Sequence, residues 1–573
     1  MPTRNGNEYG LALGQCVLAL LLLGGLGDAR GEDPNPSFLL TGYLQELKVD
    51  NPGDPLSGGS LTVNGARVIL PRNLLITMPG QYLTLSDLFR GKQPGWGEAL
   101  AAPQAASGLA FADQPPPTLP VMVQALGNMV GGRYIAGVVN LMPQGFNEEG
   151  EGAGFIRAID YDKGELLVGT LTGTATARVR INDALGVYGR KNSEKSGGEL
   201  IDDRFTSDPG NAPVTASTGF PMCIPRVAPP AEDALCPRGN RRAAGDPGQP
   251  GRFTCGAVAA EPTAAPLSGC DPEKPAPLVV GDYITYSGMP IVDAPGTSFV
   301  AAHALQALTG IYTSPRADPA YVLVEVALVG TLGEPFPGID QEQTSRFRIV
   351  GFTTDPARRV DVFVIDQEGD QEKERRLTTL TPQPTAQIGR IRIDLPAKAN
   401  FLPVARDVRI RIEGHSSRKV VNGHLDSGQY TLPVSGYIAP ENTRFGIPRL
   451  PVGVPFESFC FLKNGGGALA TLGREGPAPK IGRLDPFPAS GHADAQPMAD
   501  ARARARDGER TLRDCGVLMI SSLPESKRAD LLSGRKRYLP MSVIGPERVK
   551  TLASLNELAA AHQRPQRVHH TLD

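Results

Sequence analysis

The sequence predicts a mainly β protein made of several small antiparallel β-barrel or β-sandwich modules, with a disulfide-rich irregular insertion and a short helical C-terminal region. Three observations lead there. Glycine and proline, 67 and 53 of 573 residues, make up about a fifth of the chain where about an eighth is usual, and both destabilise helix interiors. Short segments alternate apolar and polar residues with period two, the signature of a strand with one buried face. Seven cysteines follow or lie within an export-type N-terminus, and exported chains use cysteine for disulfides. The length suggests roughly three or four units of ordinary domain size.

Residues 1–29 read as a signal peptide. Arg4 supplies the positive start, Leu11 to Leu26 the apolar run, and Gly27-Asp28-Ala29 a small-residue cleavage site. The run is shorter than a bilayer-spanning helix requires, so no membrane span is expected after cleavage. Residues 30–186 read as N-terminal β modules. Leu61–Val68 is a hairpin with Asn64-Gly65 at its tip, a dipeptide suited to a turn with positive φ at both positions. Asp162-Lys163-Gly164 turns Phe155–Asp160 into Glu165–Val168. In Thr176–Ile181, Ala177, Val179 and Ile181 face one way and Arg178 and Arg180 the other, toward water. Three stretches, Tyr43–Leu85, Gly154–Asp183 and Val279–Tyr312, each read as a small repeated β unit.

Residues 187–276 read as a Cys/Pro/Gly-rich insertion with little periodicity, held by disulfides. Residues 277–450 read as central β modules. Gly281–Gly288 is a strand entering a turn, and Tyr321–Val329, Arg346–Ile349, Arg359–Ile365, Arg390–Leu395 and Val408–Glu413 are strands. Residues 451–573 contain helices at Ala499–Arg513 and Pro524–Leu532 and one opened by Gly545-Pro546. The stripe Val549, Leu552, Leu555, Leu558 on the last is expected to dock on a sheet, ahead of a disordered tail from Gln563.

Beyond Cys16, six cysteines remain: Cys223, Cys236, Cys255, Cys270, Cys460 and Cys515. The simplest expectation is two bridges inside the first four and one joining Cys460 to Cys515, with connectivity open. Their long, irregular gaps do not match the close pairs of a zinc site. The 58 basic and 60 acidic residues nearly cancel, without the basic excess of a nucleic-acid binder, so no nucleic-acid partner is expected.

Several strings resemble a family of secreted, β-rich fungal and bacterial proteins with no assigned activity: Thr218–Arg226, Leu235-Cys236-Pro237, Gly281–Gly288, Phe461–Gly467 and Gly482–Pro488. The repeated hairpins are similar to small bacterial β-barrel domains of unknown function. After Cys236-Pro237 the chain departs from the first family with Arg238–Arg242. The resemblance implies an exported β protein and carries over no catalytic residue.

Candidate chemistry is sparse. Glu413-Gly414-His415-Ser416-Ser417-Arg418 follows a strand and approaches the nucleophile elbow G-x-S-x-G, but Arg418 replaces the last glycine. Ser416–Lys419 matches S-x-x-K without its partner motifs. If 408–415 paired with 419–426, Glu413, His415, His424 and Asp426 could converge as ligands for a transition metal; otherwise they form a polar hairpin rim with two exposed histidines. Asp160, Asp162 and the turn Asp366–Asp370 are oxygen-rich but lack calcium-loop spacing. No catalytic, cofactor or metal residue is assigned, and the cofactor is unknown.

The expected function is that of a non-catalytic exported protein, secreted or periplasmic, binding a surface polymer or protein partner through its β modules. The partner would be an extracellular polymer or an envelope protein. One alternative is an extracellular hydrolase or metal-dependent oxidoreductase whose acid–base pair comes from distant carboxylates. Another is an accessory factor for an exported metalloenzyme.

Overall fold

The computed structural model describes residues 36–90, 104–143, 151–195, 201–241, 252–254, 270–330, 346–395 and 404–438, apart from single or paired residues within them, and parts of 456–492. The signal-peptide run, Cys255, Cys515 and the helices expected beyond residue 498 lie outside the described residues. Among the described residues no helix is long and apolar enough to cross a membrane.

The protein is mainly β. Strands β1 (Ser37–Val49), β2 (Gly59–Val63) and β3 (Ala66–Leu70) form a meander. The Asn64-Gly65 turn has φ of 50° and 74°, the left-handed region that asparagine and glycine adopt at least cost. A projecting hairpin, β4 (Leu75–Met78) and β5 (Gln81–Thr84), follows. Strands β6 (Val121–Val130) and β7 (Arg133–Pro143) then return. β6 lies against β1, and β7 pairs in parallel with β3 through Val68–Tyr134 and Ile69–Ile135. The ring β3-β2-β1-β6-β7 closes as a five-stranded barrel. Its filling includes Leu44, Leu61, Val63, Val68, Val123, Val139 and Leu141, each contributing roughly 1.5–3 kcal/mol by leaving water.

A second ring repeats this connectivity. Strands β8 (Glu151–Asp160), β9 (Glu165–Gly169) and β10 (Ala175–Ile181) form its meander. The insertion follows, with β11 (Val214–Ala216), β12 (Met222–Cys223), β13 (Arg252–Thr254) and β14 (Ala276–Pro277). Strands β15 (Tyr283–Ala294) and β16 (Thr297–Ala307) complete the ring. β15 pairs with β8, and β16 pairs in parallel with β10. The order of an OB-type Greek-key barrel thus occurs twice. Such a fold carries many functions, so the connectivity assigns none.

Three expectations are corrected here. Gly154–Asp183 and Val279–Tyr312 are not two units; they are the halves of one barrel. Gly281–Gly288 does not end in a turn, because β15 runs past a bulge in its partner β16 opposite Ser287/Gly288 and continues to Ala294. The Arg178/Arg180 face is not wet: Arg180 is 1% exposed, bonded to Glu165 at 2.7 Å and stacked 4.0 Å over Phe299. Two arginines sharing Glu165 and Asp293 neutralise one another's partners, which is how a charged strand face is buried.

The insertion is more ordered than its composition suggests. Tyr188, Val214, Phe220 and Met222 join the core of the second barrel. Cys223 and Cys236 form a disulfide, and Cys270 and Cys460 are also disulfide-bonded.

After β17 (Gly310–Tyr312), the chain builds two four-stranded sheets from β18 (Val322–Gly330), β19 (Arg346–Thr353), β20 (Val360–Glu368), β21 (Gln371–Leu380), β22 (Arg390–Leu395), β23 (Asp407–Ile412), β26 (Gln429–Pro433) and β27 (Gly436–Ile438). Their orders are β22-β19-β18-β27 and β21-β20-β23-β26. Val322, Val324, Ile349 and Ile391 of one sheet meet Val362, Val364, Val408 and Ile410 of the other, giving a sandwich. Between β23 and β26 a tiny hairpin, β24 (Lys419–Val420) and β25 (Leu425–Asp426), leaves the sandwich. It buries Val420, Val421 and Leu425 in the second barrel's core. Phe456, Phe459, Leu484 and Phe487, far along the chain, plug the first barrel.

Candidate functional site

The residues that sequence patterning singles out do not come together. β23 pairs with β20 and β26, while 419–420 pairs with 425–426, so His415 and His424 are not brought onto one hairpin. His415 is buried, not exposed. Its Nε2 accepts the Ala320 backbone N–H at 3.1 Å and lies 3.3 Å from Asp318 Oδ1. The ring lies against Gly428, where a Cβ would fall 2.0 Å from Nδ1; φ there is +73°, so glycine is required on both counts. Burial lowers the imidazole's pKa, against the opposing pull of Asp318. His415 therefore fastens the start of the sandwich. His415→Ala leaves a buried N–H without its acceptor, at a cost of about 2–3 kcal/mol. Urea unfolding with an unchanged midpoint would refute this role.

Ser416 and Ser417 stand on an exposed connection into β24, without the strand–turn–helix setting of a nucleophile elbow. Lys419 of the S-x-x-K match is bonded to Asp426 at 2.9 Å. Glu413 is exposed, 4.0 Å from Arg359. Among the described residues no three His, Cys, Asp or Glu side chains gather to hold a metal. Asp160 Oδ1 accepts the N–H groups of Asp162 and Lys163, a local turn bond. In the β20–β21 hairpin the backbone of Asp366 is in register with that of Lys373, and Gly369 and Asp370 of that turn lie outside the described residues.

The structure offers a different site. Where the two barrels and the sandwich meet is a cavity of about 410 Å³. The tip of the β4–β5 hairpin, Pro79-Gly80, forms one wall and packs against the Thr206–Asp208 backbone. The second wall is Asp208-Pro209-Gly210 of the insertion. The third is Asp407, Thr431 and Pro433 of the sandwich with Lys419, Gly423 and His424 of the projecting hairpin.

Hydrogen bonds tie the walls together. Tyr82 Oη donates to Asp407 Oδ1 at 2.7 Å across 325 residues of sequence. Gln81 Nε2 donates to the carbonyls of Asp203 and Arg204. Asn211 and Thr431 exchange two bonds, of 2.6 and 2.9 Å. The hairpin is anchored by Val421 N–H to the Glu273 carbonyl, by Asn422 Nδ2 to the Val187 carbonyl and by Asp426 N–H to the Gly210 carbonyl. Val421 holds φ at +45°, a strained conformation for a β-branched residue, maintained by its burial.

The two carboxyls of the cavity differ. Asp208 is occupied by the N–H groups of Gly210 and Asn211 and by Asn211 Nδ2. Asp407 has Tyr82 on one oxygen, and among the described residues no hydrogen-bond donor meets the other. Burial raises both carboxyls above the usual carboxylate range; Arg406 and the Tyr82 bond pull Asp407 back down in part. Burial also lowers the His424 imidazole. The Lys419 ammonium is held by Asp426 and the His424 carbonyl. The cavity thus offers an acceptor, a cation and an imidazole between rigid proline walls.

Tyr82, Asp208 and Asp407 carry no local sequence signal, since each sits in an ordinary strand or turn. Comparison of the chain with protein-family models, with curated proteins and with solved structures finds no match.

Proposed function

We propose that this is an exported protein that works by binding, and that it holds a hydroxyl-rich segment of a surface polymer in the cavity between its β modules. The observation that carries the reading is the lining: the Asp407 carboxyl, the Lys419 ammonium and the His424 imidazole face one space beside Tyr82 and three prolines. A hydroxyl both donates and accepts, so it suits a wall of mixed donors and acceptors. The volume lies within the usual range for ligand sites. Export, to the periplasm or beyond, rests on the N-terminal apolar run and on the Cys223–Cys236 bond, of a kind that persists in oxidising compartments.

The test is sedimentation of the mature, oxidised protein with the native organism's cell envelope and extracellular polymer. The wild type is expected in the pellet and is released by a soluble fragment of that polymer. Asp407→Asn is expected to weaken retention about tenfold, or roughly 1.4 kcal/mol. Wild type left wholly in the supernatant would refute the reading, and equal retention of the variant would refute the site.

One observation favours a second reading. A carboxyl raised by burial and oriented by a tyrosine is what a general acid requires, and Asp407 has both properties. Soluble fragments released from the polymer by the wild type but not by Asp407→Asn would replace binding with hydrolysis.

A further inference from the structure

Amine, amide and carboxyl chemistry meets where the chain leaves β10, away from the cavity lining. Asn192 opens the 3-10 turn Asn192–Glu194 and is buried. Its amide is held at both ends. Oδ1 accepts the Asp183 backbone N–H at 3.0 Å and Lys195 Nζ at 2.9 Å. Nδ2 donates to Asn182 Oδ1 at 2.7 Å and to Asp203 Oδ1 at 2.5 Å. Lys195 Nζ also donates to the Ile181 carbonyl. The lysine stem is partly exposed while its Nζ reaches into the buried cluster, as long charged side chains allow.

We propose that Lys195 and Asn192 condense in the folded protein to an intramolecular isopeptide bond, with Asp203 delivering a proton to the departing ammonia. The neutral Nζ attacks Cγ of Asn192. A Nζ–Cγ amide bond forms and the Cγ–Nδ2 bond breaks. Nδ2 leaves as ammonia with a proton from Asp203, and the proton that Nζ gives up passes to solvent, from which the Asp203 carboxylate is reprotonated. No oxidant or cofactor is needed, and one ammonia is lost.

Each participant is placed for its part. Nζ is 2.9 Å from the carbonyl oxygen, so the carbon is at most about 1.2 Å further, and a small rotation of the lysine side chain turns the amine from oxygen to carbon for attack. The Asp183 N–H points at the oxygen on which negative charge develops. Asp203 touches the leaving nitrogen. Burial supports the same roles. It lowers the lysine to about 8, which supplies free amine near neutral pH. It raises Asp203 to about 6, within reach of proton donation. The bond would lock the turn that starts the insertion.

The test is mass spectrometry of the full mature protein with a tryptic map. The expected result is an intact mass one ammonia below that of the mature sequence. The peptide from Asn192 to Arg204 should be one ammonia light and uncut at Lys195. Lys195→Arg, which keeps the charge but cannot condense, should restore the full mass. Asp203→Asn should slow or abolish the loss. A wild type of full mass overturns the proposal. So does an ammonia loss with Lys195 still cut by trypsin, which would mean a succinimide at Asn192. Undiminished cross-linking in Asp203→Asn would remove Asp203 from the step.

Discussion

Arg204→Met is expected to lower the unfolding free energy by about 3–5 kcal/mol. The side chain is 1% exposed. Its Nε and Nη2 grip both oxygens of Asp202, at 2.9 and 2.8 Å. Its Nη1 donates to the carbonyls of Leu88 and Ser107, at 2.6 and 2.8 Å. One guanidinium thus neutralises a buried carboxylate of the insertion and satisfies two carbonyls of the first barrel's helical turn and following loop. Methionine fills similar space but leaves the charge and both carbonyls without their partner. Arg204→Lys should recover only part of the loss, because an ammonium cannot reproduce the fork on Asp202. Circular dichroism in urea measures both, and a loss under about 1 kcal/mol for Arg204→Met would show the pair to be dispensable.

Acid should destabilise the protein through His303, and His303→Leu should remove that part of the pH dependence. His303 is the extra residue of a bulge in β16, skipped between the pairs Ser287–Ala304 and Gly288–Ala302. Its Nδ1 is buried without a hydrogen-bond partner among the described residues. Burial lowers its pKa from 6.5 to about 4. Between those values the unfolded chain binds a proton that the folded protein does not. Stability therefore falls as pH drops through that window, by up to about 3 kcal/mol, and no further below it. Asp203, raised to about 6 by burial, acts with the opposite sign: its contribution is present at low pH and lost as pH rises through 6. Asp203 is common to wild type and variant, so it cancels in their difference. Parallel stability curves for the two from pH 7 to pH 4 would contradict the assignment.

Much of the strand content was legible because it is local. Period-two alternation placed β22 and β23 within a residue and the starts of β19 and β20, whose ends run three or four residues further, and Asn64-Gly65 placed the first hairpin. The glycine and proline content likewise pointed to many turns and short elements. What alternation could not give was which strands share a barrel. Gly154–Asp183 and Val279–Tyr312 read as separate because an insertion of ordinary loop composition lies between them. The β8–β15 and β10–β16 pairings, both long-range, join them. Arg180 read as solvent-facing for a related reason: a strand pattern reports alternation, not whether Glu165, Asp293 and Phe299 will cover the polar side.

The site follows the same division. Local pattern suffices for the β character of the chain, its main strands and hairpin turns, and a cysteine set of which Cys223 and Cys236 pair in the structure. These depend on neighbours a few residues apart, through backbone propensity, side-chain period and turn chemistry. Long-range packing made His415 a buried fastener rather than a rim ligand. It also decided that Tyr82 and Asp407 meet across 325 residues, and that a hairpin of the sandwich completes the second barrel's core. Those outcomes depend on which buried faces are matched to one another. That matching is set by summed packing and hydrogen-bond satisfaction over the whole chain, and it leaves no periodic trace in any one segment.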